Sequence, residues 1–281
     1  MEKKAIVMGA TSGIGMEVAK LLAAKGWLVG IAGRRVDRLE TVMQEANHNL
    51  EASNGNETSD RNNNTIGRIV CYKQIDVTSP DAPDLLRELI TELGGMDLYF
   101  HSSGIGWQNN LLDIEKELKT VETNGLGFVR MVDTAFNWFA EQSNSSAEEA
   151  SARNSSEKEA SKKKYRVACI TSIAGTKGLG AAPSYSATKR FQNHYIECLS
   201  QQATMRHLPI AFTDIRPGFV KTDLIAGSQY PLQLLPQDVA RAIVKAIEGG
   251  KEVKVIDWRY AILVFFWRLI PRWIWKRMKI K

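Results

Sequence analysis

In the stretch YSATK, Tyr185 and Lys189 set a phenol and an ammonium four positions apart. On a helix that spacing puts both side chains on one face, one turn from each other. A free phenol has a pKa of about 10, too high for an efficient base near neutrality. A neighbouring ammonium favours the phenolate, so the pair can give and take a proton. The same spacing also occurs on ordinary exposed helix turns, and the rest of the chain has to decide between the two. A second feature lies near the N-terminus, where GATSGIG carries glycines at 9, 13 and 15. Gly9 permits a tight turn, Gly13 a close approach of backbone to pyrophosphate, and Gly15 close packing of helix on strand. Thr11 and Ser12 add hydroxyl donors, and free N–H groups where a helix opens at Ile14 favour a phosphate. The stretch lacks the Gly-Lys-Ser/Thr ending of a nucleotide-triphosphatase loop, which leaves a dinucleotide as the expected ligand.

These groups need a scaffold, and the apolar pattern supplies one. Short apolar runs at residues 5–8, 27–32, 69–74, 97–101, 167–171, 210–215 and 253–256 alternate with helical patterns. Continuous apolar runs suit strands buried on both faces, and the alternation implies right-handed βαβ units and a parallel sheet. The glycine loop then falls between the first strand and a helix over 14–25. After the second strand, where a carboxylate would bond the ribose of NAD, the chain reads AGRR. Arg34 and Arg35 suit a 2′-phosphate through forked, charge-assisted hydrogen bonds, so NADP(H) is expected with Arg34 the main contact. The alternative is two solvated arginines at a helix start.

Taken jointly and in order, these residues resemble the short-chain dehydrogenase/reductase superfamily. Gly9, Gly13 and Gly15 match its cofactor loop, and Tyr185 and Lys189 its catalytic helix. Ser172, thirteen positions before Tyr185, falls where the family keeps its catalytic Ser, and Asn124 in ETNGLG matches its helix Asn. Asp76 and Val77 match an adenine-contacting pair. Pro217, Gly218, Val220 and Thr222 in RPGFVKT match the turn beside nicotinamide. The resemblance implies one α/β domain, a Rossmann-type doubly wound parallel sheet of about seven strands in the order 3-2-1-4-5-6-7. It implies Tyr185 as the proton donor in ketone reduction, Ser172 holding the substrate oxygen, Lys189 holding ribose and lowering the phenol pKa, and Asn124 placing a relay water. It also implies a homodimer or homotetramer. After the fourth strand the family usually has Asn-Asn-Ala-Gly, whereas this chain has His101, Ser102, Ser103 and Gly104. Ser103 and Gly104 still fit beside a cofactor, and the hydrogen bonding around His101 must differ. A nucleophilic Ser102–His101 pair is disfavoured, because neighbours on a strand point to opposite faces. The fold could also act as a cofactor-binding regulatory or scaffold protein without turnover, but the intact Ser172, Tyr185 and Lys189 weigh against that. No metal is expected, since the four histidines show no ligand spacing.

The net charge of +6 sits in one place: without the seven basic residues of 259–281 the chain carries 30 basic and 31 acidic residues. A nucleic-acid footprint across the main domain is therefore disfavoured. The stretch 259–281, RYAILVFFWRLIPRWIWKRMKIK, is too short in its apolar run to span a bilayer. On a single helix, Arg268, Arg272, Lys276 and Lys279 would share a face, with tryptophans suited to headgroups. Peripheral membrane contact through 259–281 is the expectation, with a segment packed on its own domain or on a second copy as the alternative. Three scattered cysteines and no secretory leader pattern imply a reducing, cytoplasmic setting on the inner face of a membrane. Residues 1–258 are expected to form the catalytic domain, interrupted by hydrated insertions at 48–67 and 142–164. Substrate specificity is expected from 219–236, Ile105, Trp107 and 174–183. The apolar content there points to an apolar or lipid-like ketone or alcohol, such as a 3-keto-sphingoid base, a steroid or a fatty acyl chain.

Overall fold

A computed structural model describes residues 2–54, 67–152, 164–225, 227, 230–278 and 280. Seven strands form one all-parallel sheet in the order β3-β2-β1-β4-β5-β6-β7. They are β1 (Lys3–Met8), β2 (Trp27–Gly33), β3 (Arg68–Gln74), β4 (Leu98–His101), β5 (Tyr165–Ile170), β6 (Ile210–Arg216) and β7 (Val253–Val255). The central strands are apolar on both sides because helices cover both faces. One face packs Val7, Val29, Phe100 and Ile215 against α1 (Gly13–Ala24), α2 (Val36–Asn54) and α7 (Pro236–Glu248). The other packs Ile6, Met8, Tyr99 and Cys169 against α3 (Ala82–Leu93), α5 (Phe128–Ala152) and α6 (Pro183–Met205). The strand order reverses between β1 and β4, so the loops after these strands open a crevice at the carboxyl edge of the sheet.

The short helix α4 (Ile114–Val121) does not run straight into α5. Residues Glu122–Gly127 form a π-helical turn between them, carrying ETNGLG. A turn of this kind re-aims one side chain relative to a regular helix, and it commonly marks functional positions. The expected polar insertions begin inside helices: α2 continues to Asn54 and α5 to Ala152. The remainder of those two stretches, 55–66 and 153–163, lies outside the described residues.

The C-terminal segment departs from one continuous amphipathic helix. It forms α8 (Trp258–Leu269) and the single turn α9 (Arg272–Trp275), because Ile270 turns extended ahead of Pro271. The expected basic stripe through Arg268 and Arg272 is thereby split between two elements, and Lys279 lies outside the described residues. Tyr260, Val264 and Trp267 of α8 join the core beside α7. The Tyr260 ring lies so close to Gly218 that a Cβ there would meet it at 2.2 Å. Its hydroxyl accepts from the Phe219 N–H at 3.1 Å and donates to the Leu232 carbonyl at 3.0 Å. Tyr260→Phe is expected to cost about 1–3 kcal/mol, because it leaves the Phe219 N–H and a loop carbonyl without this partner. Urea unfolding followed by fluorescence measures that loss.

Candidate active site

The last residues of β5 lead to Ser172, whose extended backbone lets its hydroxyl accept from the Ala174 N–H at 3.0 Å and cap the turn Ile173–Thr176. Pro183 opens α6, and two residues on stands Tyr185. The Tyr185 ring packs on the loop after β4, where a Cβ on Gly106 would meet its ring at 2.2 Å. Tyr185 is half-buried. Burial raises its phenol above the ordinary value, and a hydrogen bond with Ser172 opposes that rise. Lys189 follows one turn later on α6 and is 4% exposed, with its Nζ 5.7 Å from the centroid of the Tyr185 ring. Burial lowers its ammonium to about 8, a fall partly offset by the neighbouring Cys169 and Asp214. The expected lowering of the phenol by Lys189 is not found. The ammonium donates to the Ile170 carbonyl at 3.0 Å and to Gln192 Oε1 at 2.9 Å.

Asn124 is fully buried within the π-helical turn. Its amide pairs with Ile105 in both directions, accepting from the N–H at 2.9 Å and donating to the carbonyl at 2.7 Å. Those two hydrogen bonds hold the loop carrying Gly104 and Gly106 against Lys189 and Tyr185. A side chain also links Asn124 to Lys189. Gln192 Nε2 donates to the Asn124 carbonyl at 2.9 Å while Gln192 Oε1 accepts from Lys189. Sequence reasoning does not single out Gln192, whose role depends on the Asn124 carbonyl 68 positions away. Asp214 on β6 is another such residue. It accepts from Thr171 Oγ1 at 2.5 Å, Asn193 Nδ2 at 3.1 Å and both Arg216 Nε and Nη2 at 2.8 and 2.6 Å. This set ties the end of β5, next to Ser172, to β6 and α6.

The glycine loop comes within reach of the same cluster. Gly9 has φ +85°, and a Cβ there would meet the Ser103 nitrogen at 2.7 Å. A Cβ on Gly15 would meet the Gly9 carbonyl oxygen at 2.2 Å, so α1 abuts the turn as closely as backbone allows. Gly13 lies beside Thr222, and Gly104 lies beside Asn124 and Lys189. Ser12 makes no side-chain cap, which leaves the first N–H groups of α1, including that of Ile14, free of one. Such a cradle has the shape and the donors that a pyrophosphate needs. Arg35 Nη2 donates to Thr11 Oγ1 at 2.9 Å and to Ser12 Oγ at 3.1 Å, while Arg34 is exposed and its carbonyl accepts from Gln74 Nε2 at 3.0 Å. Asp76 turns its carboxylate onto the Thr78 N–H and hydroxyl, and Val77 is buried against Gly127. Pro217 accepts from the Ile173 N–H at 3.1 Å, and Val220 bridges Leu234, so the segment after β6 runs back over the crevice. The residues present thus fit a dinucleotide across β1 and β4.

His101 takes no part in a nucleophilic pair. Its Nδ1 lies 2.9 Å from the Tyr99 hydroxyl, and burial with nearby Lys189 lowers its pKa to about 3. It is a neutral group filling the sheet where the family usually has an amide.

Comparison with known proteins agrees with this architecture. An oxidoreductase of Myxococcus xanthus is 28% identical over 274 residues, covering 96% of this chain and 93% of its own. The dehydrogenase/reductase SDR family member 7B of Xenopus laevis is 24% identical, covering 95% of this chain and 77% of its own. Among solved structures, an alcohol dehydrogenase of Thermococcus sibiricus complexed with 5-hydroxy-NADP superposes with a TM-score of 0.71 at 19% identity, covering 91% of this chain and 96% of its own. An actinorhodin polyketide ketoreductase with NADPH superposes at 0.69 with 22% identity, covering 91% and 95%. At such identities the superpositions establish the fold. The family itself comes from a sequence model described as short chain dehydrogenase, which matches residues 3–230, and the chain belongs to that family of oxidoreductases.

Proposed function

We propose that this protein interconverts a ketone and a secondary alcohol with NADP(H), acting on an apolar or lipid-like substrate. The observation that carries the reading is the Tyr185 phenol, half-buried on Gly106, hydrogen-bonded to Ser172 and one turn from a buried Lys189. Residues 9–15, Ser103, Gly104 and Thr222 would hold the cofactor, which would supply the hydride and its electrons. Tyr185 gives its hydroxyl proton to the carbonyl oxygen as that oxygen gains charge, and Ser172 holds the same oxygen by a hydrogen bond. Two of the three Lys189 N–H donors are taken by Ile170 and Gln192, and the third would be available to a ribose hydroxyl of the cofactor.

An apolar substrate is supported by the rim of the crevice. Trp107, Leu224, Leu232 and Leu235 are all exposed there. Phe219 stacks on Tyr230 at 4.0 Å, and Gln108 Nε2 donates to the Tyr230 hydroxyl at 2.9 Å, which joins the two loops that frame the opening. Steady-state turnover on a ketone series of rising chain length tests this. Efficiency is expected to rise with chain length, and turnover confined to small hydrophilic carbonyls sinks the apolar assignment.

NADP(H) is supported by two arginines and no carboxylate after β2, and by the cofactors in the names of the two structural neighbours. Arg35 shares the Thr11 and Ser12 hydroxyls, so it stands on the phosphate side, while Arg34 is free to meet a 2′-phosphate. Arg34→Asp is expected to move the ratio of efficiencies with NADPH and NADH toward NADH by about 10²-fold, the effect of exchanging a charge-assisted bond for a repulsion. An unchanged ratio removes Arg34 from this role.

A further inference from the structure

Helix α8 is apolar on two opposite sides. At about 100° per residue, Tyr260, Val264 and Trp267 form one stripe. Trp258, Ile262, Phe265, Phe266 and Leu269 form the stripe facing away from it. The first stripe is in the core, at most 8% exposed. The second stands in solvent, with Phe265 and Phe266 each 62% exposed and Leu269 65%. A helix apolar on two opposite sides calls for cover on both, and this fold covers one.

The charge around the open side names what covers it. Residues 258–278 contain five basic residues and no acidic one. Arg259 is held by Asp257, with Nε and Nη2 each 2.9 Å from the carboxylate. Arg268, Arg272 and Lys276 are exposed beside the apolar stripe, and so is Trp273. An aromatic and aliphatic face edged by cations alone complements an anionic lipid surface: acyl chains take the rings, and headgroups take the cations. At twelve residues α8 is about 18 Å long against a hydrocarbon core of about 30 Å, so it lies on a bilayer and does not cross it. No described helix is long and apolar enough to cross a membrane.

We propose that α8 and α9 form a rigid docking face for an anionic lipid bilayer, with Phe265, Phe266 and Leu269 entering the acyl boundary. The face is fastened to the active-site wall. Lys177 Nζ donates to the Trp267 carbonyl at 2.8 Å and also to the Ile270 carbonyl. Trp267 Nε1 donates to Thr176 Oγ1 at 2.8 Å, and Trp275 Nε1 to the Gly178 carbonyl at 2.6 Å. Residues 176–178 lie between Ser172 and Tyr185, and Tyr260 holds the loop of Leu232. Docking through α8 therefore sets the apolar mouth of the crevice at the lipid surface. The inference stands on packing and charge, and it is independent of the reaction proposed above.

The test is co-sedimentation of the full chain with phosphatidylcholine vesicles, with and without phosphatidylserine. Wild type is expected to bind the vesicles that contain phosphatidylserine and to leave them at about 1 M salt, where the screening length falls to about 3 Å. The double variants Phe265→Glu/Phe266→Glu and Arg268→Glu/Arg272→Glu are each expected to lower the bound fraction about tenfold or more. Melting temperature and elution volume should stay as in wild type, because these side chains are exposed. Wild type left in the supernatant with phosphatidylserine, or a phenylalanine variant that sediments like wild type, overturns the proposal. So does a phenylalanine variant whose assembly shrinks while vesicle binding persists, since that assigns the face to a second copy of the chain.

Discussion

Tyr185→Phe is expected to lower turnover by about 10³-fold or more while leaving cofactor affinity within a few-fold of wild type. The substitution removes one oxygen and little else. The ring lies against Gly106, and a phenyl ring fills the same space, so the loop held by Asn124 has no reason to move. Ser172 keeps its bond to the Ala174 N–H and can still hold a carbonyl oxygen, but no group beside it carries a transferable proton. Lys189 is a poor substitute, because its Nζ is directed to Ile170 and Gln192. Absorbance-monitored turnover together with a fluorescence titration of NADPH separates the two quantities. Turnover within tenfold of wild type would remove Tyr185 as the proton donor. Loss of both turnover and cofactor binding would point to a collapsed site.

What could be read in advance follows from which contacts are local. Strands buried on both faces must be apolar throughout, so runs such as 27–32 and 210–215 announce themselves within a residue or two of β2 and β6. The glycine loop is equally local, since turn, phosphate approach and helix start occupy seven consecutive positions. The two groups that proved illegible depend on residues far apart in the chain. Gln192 matters because the π-helical turn brings the Asn124 carbonyl to it across 68 positions. Asp214 on β6 gathers Thr171, which follows β5, and Asn193 of α6, as well as Arg216 of its own strand. Residue types alone made both look like ordinary polar residues on a helix and a strand. The C-terminal segment divides the same way. Its composition spoke for a surface role, but Pro271 and the fit of Tyr260 onto Gly218 decide which side of α8 remains open.

The second large effect concerns the charge on Lys189. With a pKa near 8, Lys189 is charged through neutral pH and loses its proton within the working range, whereas burial keeps the Tyr185 phenol protonated beyond it. Ketone reduction needs both protons in place. Its efficiency is therefore expected to be level below pH 8 and to fall about tenfold per unit above it. Lys189→Met is expected to lose about 10²–10³-fold at neutral pH, and the remaining rate should no longer bend near 8. A bend that survives in the Met variant assigns it to another group. Stability moves in the opposite sense. The folded pKa lies below the unfolded one, so between about 8 and 10.5 the unfolded chain holds a proton that the native state lacks, and stability rises with pH across that window. At neutral pH the charge costs the fold on the order of 3 kcal/mol, which the Met variant recovers, while it forfeits the hydrogen bonds to Ile170 and Gln192 at about 1–3 kcal/mol each. These terms nearly cancel, so the Met variant should melt close to wild type at pH 7 and lack wild type's gain between pH 8 and 10.5. A residue retained for packing alone would show the reverse, with a clear loss of stability and little change in rate. The combination of lost turnover, kept stability and a vanished bend marks a buried charge maintained for chemistry.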